Sequence, residues 1–380
     1  GRQHSTLRFE AVKKYLRPKE LFLLEQEGRM VRRIYQPTFS PEKIEETPDG
    51  WGLFNTYDPP EWKLLEGDAS QVPSQWLKYL EHLFPKESQR EKVLRWVYWS
   101  VKDKAYQHLV LVGAQKTGKT IFTKDLLTQL HGKKHTRVLR SNIFKTSFNS
   151  EFNESTLLYI DEAQVSTRTQ HDMLKQWADD VIAVEKKHRD PFDLVRTFSM
   201  VLISNHTGAI YADPINSRKF IYPDISESTL TEVFSLEEIG DLVHSFTKPQ
   251  LLANFWAYLE QRFKEGEEEE KKGYKEVECW GHTFERMVLD TGAAILRYAV
   301  KSIIEKRYSE VSYDRVQADY LKTKKNPRFR QVPFYEVQAF FEAFTWYGEK
   351  LAEVDYRKEV IRVINPKYLP EESSSEDTPL

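Results

Sequence analysis

The sequence predicts an α/β fold with a mainly parallel sheet built around a phosphate-binding loop. A mixed and helical N-terminal region and a helical C-terminal region flank it. Three observations carry this prediction. Short apolar runs alternate with helix-period segments between residues 106 and 225. The octapeptide Gly113-Ala114-Gln115-Lys116-Thr117-Gly118-Lys119-Thr120 fits the pattern G-x-x-x-x-G-K-[ST], with an apolar run leading in and an amphipathic segment leading out. A second apolar run, Leu157-Leu158-Tyr159-Ile160, ends in the paired acids Asp161 and Glu162.

Composition sets outer bounds. The chain has 380 residues, with 56 Lys and Arg against 58 Asp and Glu, for a net charge of −2. That balance excludes a histone-like binder driven by overall positive charge, while leaving room for a local basic groove. With 30% charged and 13% aromatic residues the chain is globular. Its single cysteine, Cys279, excludes a disulfide framework and a thiolate zinc cluster. The longest apolar runs, such as Leu109–Val112, fall far short of the roughly 18 residues of a membrane helix. These features predict a soluble chain of a reducing compartment, the cytoplasm, with no membrane partner. The opening Gly1-Arg2-Gln3 lacks a methionine and reads as a piece of a longer polypeptide.

Element by element, residues 1–75 carry scattered prolines and no clear period, so they predict loops and short elements laid over a neighbouring domain. A helical lead-in over 76–105 follows: Trp76, Leu77, Leu80, Leu83 and Phe84 recur at helical spacing until Pro85, and Val93, Leu94, Val97 and Tyr98 line a second helix. The core, 106–225, predicts strands at His108–Val112, Thr136–Arg140, Leu157–Ile160 and Phe198–Ile203, with a helix over Gly118–Leu130. Residues 226–368 predict a mostly helical domain, with Leu252, Phe255, Leu259 and Phe263 in one stripe. Its helices Phe284–Glu305 and Phe334–Leu351 suit either a winged-helix-like or a purely helical unit. The acidic tail 369–380 predicts disorder.

The octapeptide has a clear chemical logic. Its glycines let backbone N–H groups curl around phosphates, and the following helix N-terminus adds partial positive charge. Lys119 is placed to reach the β- and γ-phosphates of ATP, and the Thr120 hydroxyl to ligate Mg²⁺. A buried strand that delivers Asp161 beside such a loop supplies a carboxylate to hold Mg²⁺ through water. Glu162 is then placed to polarise an attacking water, which points to hydrolysis. Met200-Val201-Leu202-Ile203-Ser204-Asn205 is another strand, ending in an amide suited to sit between γ-phosphate and water, or simply to end the strand in a turn. Arg218, in Ser217-Arg218-Lys219-Phe220, suits a finger reaching an adjacent subunit's nucleotide, or a surface arginine. Between these, the apolar arms Val181–Val184 and Phe192–Val195 enclose Lys186, Lys187, His188 and Arg189. That is a hairpin or projecting loop whose tip suits phosphate oxygens or a solvated turn.

Taken in order and spacing, the phosphate loop, the Ile-Asp-Glu strand, the Glu185-Lys186-Lys187-His188 hairpin, the Ser204-Asn205 strand end and Ser217-Arg218-Lys219-Phe220 resemble superfamily 3 helicases. The hairpin is similar to that of polyomavirus large tumour antigens. The lead-in helices look like those of phage and plasmid primase-helicases, and the whole resembles the C-terminal helicase portion of phage primase-polymerases, including those of deep-sea vent phages. The resemblance covers residues from about 74 to 225. It implies an AAA+-like P-loop NTPase core acting in DNA replication as a hexameric ring, a homo-oligomer translocating 3′ to 5′ on single-stranded DNA. By the same resemblance Asp161 and Glu162 are the Walker B acids, Asn205 the sensor and Arg218 the finger. Lys187 and His188 contact DNA in a central channel, and a primase or polymerase domain precedes the motor. One departure is that many phage relatives carry two arginines where this chain has Arg218-Lys219, which leaves the finger between these positions.

Two other classes compete. One is a nucleotide-gated ATPase that loads, melts or packages DNA without processive unwinding. The other is a P-loop kinase for a small metabolite, which would need an acceptor pocket and an arginine-bearing lid. Further basic runs, Lys133, Lys134, Arg137 and Arg140, and Lys322 to Arg330, suit either nucleic-acid backbone or a wet surface.

Overall fold

The segments His108–Val112, Leu157–Ile160 and Ser199–Ser204 are buried along their whole length, as a sheet covered on both faces demands. The computed structural model describes residues 31–35, 37, 45–46, 52–140, 143–144, 152, 154–165, 167–184, 192–212, 219–264, 279–280, 283–284, 286–287, 294–306, 309–323, 334–343, 345–346, 349–355 and 357–364. In chain order these hold β1 (Val31–Ile34), β2 (Glu45–Glu46), β3 (Gly52–Asn55), α1 (Ser74–Leu83), α2 (Glu87–Lys102) and β4 (His108–Val112). A π-helical stretch, Ile121–Leu127, runs on into α3 (Thr128–His131), followed by β5 (Thr136–Leu139), β6 (Leu157–Ile160) and α4 (Arg168–Trp177). Next come β7 (Val181–Val184), β8 (Phe192–Val195), β9 (Ser199–Ser204), β10 (Phe220–Tyr222), α5 (Leu236–Ser245), α6 (Pro249–Phe263) and β11 (Cys279–Trp280). The last are α7 (Ala294–Lys306), β12 (Glu310–Ser312), α8 (Tyr313–Thr323), α9 (Phe334–Ala343), β13 (Thr345–Trp346), β14 (Glu349–Lys350), β15 (Ala352–Asp355) and β16 (Val360–Val363).

The central sheet has the order β11-β10-β4-β9-β6-β5, and all its pairs are parallel. Five strands make its body, and β11 adds a two-residue edge. The predicted α/β class with a parallel sheet around the phosphate loop is the observed one. Successive residues of each strand point to opposite faces. Leu109, Leu111, Leu157, Tyr159, Val201 and Ile203 join a core with α1, α2, α5 and α6. Val110, Val112, Leu158, Ile160, Met200 and Leu202 join another with α4, the β7–β8 stem and the C-terminal elements. The first core is dense in aromatics: Trp76, Tyr79, Trp96, Tyr98 and Trp99 are all buried. Truncating one such ring costs about 3–5 kcal/mol.

Local sequence sets the element ends. α1 stops at Leu83 because Pro85 disfavours helical backbone just before it. Reciprocal capping boxes open α4 (Thr167 with Gln170) and α5 (Ser235 with Glu238), and Pro249 starts α6. Residues 57–71 lie across this core: Trp62 Nε1 donates to Leu130 O at 2.9 Å, and Asp68 N to Asn254 Oδ1 at 3.0 Å.

The C-terminal region differs in part from the helical expectation. α7, β12, α8, α9, β15 and β16 follow the connectivity of a winged helix, with an antiparallel sheet ordered β12-β16-β15. This decides between the two architectures the sequence allows. Strands of three or four residues are too short for period-2 alternation to stand out from the helices around them. Helix α9 ends at Ala343, well before Leu351, and Thr345–Trp346 pairs instead with Glu349–Lys350.

Candidate functional site

Register brings the motifs together. Val112 pairs with Ser204 across β4 and β9, and Ile160 pairs with Leu202 across β6 and β9. Two backbone hydrogen bonds beyond the ladders tie the strand ends: Gly113 N to Ser204 O at 3.3 Å and Ala163 N to Ile203 O at 2.7 Å. The phosphate loop, Asp161-Glu162 and Asn205 therefore share the carboxyl edge of the sheet, with the amide strand between the other two. The connection that leaves β4 runs toward the β5 edge and the one that leaves its neighbour β9 runs toward the β11 edge, so these two strands flank the place where open α/β sheets bind ligands.

The loop itself is tightly supported. Gly118 has φ +105°, a left-handed conformation that costs a side-chain-bearing residue strain, and a Cβ there would meet the Tyr79 ring at 3.0 Å. The Tyr79 hydroxyl donates to Gly118 O at 2.9 Å, and Leu230 N donates to Lys116 O at 2.8 Å. Thr117 is buried, its hydroxyl donating to Ala114 O at 3.2 Å. Lys119, 4% exposed, donates from Nζ to Gly113 O at 2.9 Å, to Ala114 O and, at 3.4 Å, to Thr117 Oγ1. Burial pushes its ammonium down to about 8, and no carboxylate offsets that among the described residues. Ala114, Gln115, Lys116 and Thr120 are exposed. The N–H groups of this loop, on residues 114–118, lie at the start of the helix that follows. A buried ammonium beside a row of such donors fits a polyphosphate.

The acids sit differently. Asp161 and Glu162 follow β6 in a turn, and Glu162 has φ +52°, a left-handed conformation that is costly for a non-glycine residue and typical of functional sites. Asp161 Oδ2 is 2.7 Å from Lys124 Nζ, an ion pair with side chains 31% and 41% exposed. A hydrogen bond to Asp161 raises the Lys124 ammonium above its ordinary value. A partly exposed carboxylate already holding one cation, on the edge that carries the Thr120 hydroxyl, suits a magnesium ion. Asn205 is half-buried just past β9.

β7 and β8 form an antiparallel hairpin stem from Val181↔Val195 to Val184↔Phe192. Lys186, Lys187, His188 and Arg189, at its tip, lie outside the described residues, as does Arg218. The root is anchored by Arg196, 1% exposed, whose guanidinium donates to the carbonyls of Asp179, Ala105 and Phe198 at 3.1, 2.8 and 3.0 Å. Lys219 is committed within its own chain, donating to Lys175 O at 3.0 Å and to Asp179 Oδ1. Of the first basic run, Lys134 pairs with Asp58, and Arg137 donates to Lys134 O at 2.6 Å.

Tyr79, Lys124 and Arg196 escaped the sequence reading. Tyr79 and Arg196 act through contacts distant in sequence. Lys124 had a signal, its place four residues after Thr120 on one helix face.

Comparison with known proteins places this architecture. A family model described as a family of unknown function, DUF5906, matches residues 111–219, less than a third of the chain. The span nonetheless encloses the last two residues of the phosphate loop's lead-in strand, the whole loop and every motif through Arg218. No curated protein matches the chain. An apo structure of the NrS-1 C-terminal region is similar over 79% of this chain and 70% of that one, at 14% identity and a TM-score of 0.57. An A-form apo structure of that region is similar over 90% and 88%, at 14% identity and a TM-score of 0.55. The JCV helicase, solved with a bound small molecule, covers 60% and 63% at 15% identity, but its TM-score of 0.34 is too low to speak for a shared fold. At 14% identity the likeness to the NrS-1 region is one of fold. Among the described residues no helix is long and apolar enough to cross a membrane.

Proposed function

We propose that this chain is the motor of an ATP-dependent DNA helicase or translocase acting in phage or plasmid replication. It works as a ring of six identical subunits, downstream of a primase or polymerase domain of the same polypeptide. One observation carries the reading: β8, Arg196 and β9 form a continuous segment from the hairpin stem to Asn205, beside the phosphate loop. A change at the nucleotide thus has a short covalent path to a loop whose tip carries four consecutive basic residues.

In this reading Lys119 gives up the Gly113 and Ala114 carbonyls for phosphate oxygens, and the N–H groups of the loop hold the rest of the polyphosphate. Thr120 and Asp161 hold Mg²⁺, which neutralises charge on the phosphates. Glu162 orients and deprotonates the attacking water, and Asn205 positions it. Arg218 serves the neighbouring subunit's nucleotide. The engagement of Lys219 with Asp179 and Lys175 favours Arg218 over Lys219 for that role. Lys186, Lys187, His188 and Arg189 grip one DNA strand.

The test is ATP hydrolysis with and without single-stranded DNA, run beside displacement of a labelled strand from a forked duplex. Stimulated hydrolysis with displacement is expected, and Lys187→Ala keeps basal hydrolysis while losing displacement. Hydrolysis indifferent to DNA, with no displacement, sinks the proposal. DNA affinity that differs between ATP and ADP without displacement would instead identify a nucleotide-gated loader.

A further inference from the structure

Two ammonium groups serve this site, and they are disposed differently. Lys119 is buried against the carbonyls of its own loop. Lys124 reaches out of the π-helical stretch to Asp161 Oδ2 at 2.7 Å. Thr120 and Lys124 stand four residues apart, so they share a face of the helix that leaves the phosphate loop. That helix is widened where this happens: Thr128 N donates back to Thr123 O, five residues earlier, while the Thr123 hydroxyl donates to Lys119 O at 3.2 Å. Widened turns of this kind gather at functional positions. The face that presents the Thr120 hydroxyl thus presents a cation to Asp161 one turn later.

We infer that Lys124 is the resident counter-cation of Asp161, balancing its charge until a divalent metal arrives and displaces it. The inference rests on the reading of Asp161 as the magnesium acid. Both partners are partly exposed, so each side chain has room to swing. A partly exposed pair is weak enough for a doubly charged ion with oxygen ligands to displace it. The pair therefore sets a threshold: metal competes with Lys124 for Asp161, and a metal already carried by nucleotide phosphates competes best. Asp125, beside Lys124, adds local negative charge without taking over the pair.

The experiment uses Mn²⁺ alone as the probe, titrated into the full chain without nucleotide and followed by the paramagnetic resonance of the free ion. Lys124→Met keeps the aliphatic stem and removes the charge, and it should bind Mn²⁺ at least about threefold tighter than the parent, the order expected for one unit charge a few ångströms away in a largely aqueous site. Lys124→Arg should match the parent, and Asp161→Asn should lose the site. If Asp161→Asn loses the site but Lys124→Met binds no tighter, the counter-cation inference is wrong and the reading of Asp161 survives. If Asp161→Asn binds Mn²⁺ as the parent does, the magnesium reading falls, and this inference falls with it. Thermal melts confirm that each variant is folded.

Discussion

The two halves of the candidate site are built by different means. On the phosphate-loop side, packing does the positioning: Lys119 and Thr117 are buried, Tyr79 closes on Gly118, and Leu230 ties Lys116. On the acid side, Asp161 is partly open to solvent and Glu162 exposed, held by a left-handed turn and one ion pair. A cradle that must meet a flexible polyphosphate gains from being preformed, because ordering it afterwards would weaken binding. Acids that must exchange a metal and a water on each cycle need access. On the proposed function, the difference implies that the first half governs whether nucleotide binds and the second whether it turns over.

The largest effects should separate those roles. Lys119→Ala removes the ammonium proposed to meet the phosphates and should lower nucleotide affinity and hydrolysis by on the order of 10²–10³-fold. Glu162→Gln keeps shape and removes the proposed base. It should cut turnover by on the order of 10²-fold or more while nucleotide binding stays near normal. Equilibrium binding of a fluorescent ATP analogue beside steady-state hydrolysis reads both. Equal losses of binding in the two variants would erase the division between the halves.

That division was only partly legible in the sequence. The strands were, because buried parallel strands are unbroken runs such as Leu109-Val110-Leu111-Val112, and the residues at their ends could be named, because Gly118-Lys119-Thr120 and Asp161-Glu162 sit at fixed places in the pattern. Strand order was not. Nothing in local periodicity says that β9 lies between β4 and β6, since that follows from backbone pairing such as Val112 with Ser204. Nor could periodicity reveal Tyr79 as the buttress of Gly118, 39 residues away, or Arg196 as the anchor of the hairpin root. Lys124 went unread because its partner, Asp161, comes from a different element, the end of β6.

A smaller effect should come from acid. The strand–loop–helix unit is bounded by two buried histidines, His108 at the start of β4 and His131 at the end of α3. Burial pushes both down to about 3, so each stays neutral in the folded protein. The His108 ring lies 2.7 Å from Leu174 O, and the His131 ring nitrogens contact Ser100 Oγ and Thr156 Oγ1 at 3.2 and 3.1 Å. In the unfolded chain each takes up a proton near pH 6.5. Stability is therefore intact above about pH 6.5 and falls as pH drops below it, by up to about 1.4 kcal/mol per histidine per pH unit. His82 and His135, also lowered chiefly by burial, act in the same direction. Denaturant melts at pH 7.5 and 5.5 should differ by about 3 kcal/mol from the two fully buried rings. His131→Asn should flatten that dependence, and a pH-independent stability would contradict the buried neutral state of both.

The finest test concerns one hydroxyl. Tyr79→Phe keeps the ring against Gly118, so packing and the left-handed turn are untouched, and it removes the donor to Gly118 O together with the hydroxyl's contact to the Phe122 backbone. A hydrogen bond of this kind contributes about 1 kcal/mol net. Because the bond fixes a peptide of the phosphate cradle and touches no acid, its loss should raise KM for ATP by about fivefold and leave kcat nearly unchanged. A fall in kcat at constant KM would mean that the packed half also shapes turnover. An unchanged KM would mean that the ring and Leu230 alone suffice to hold the loop in place.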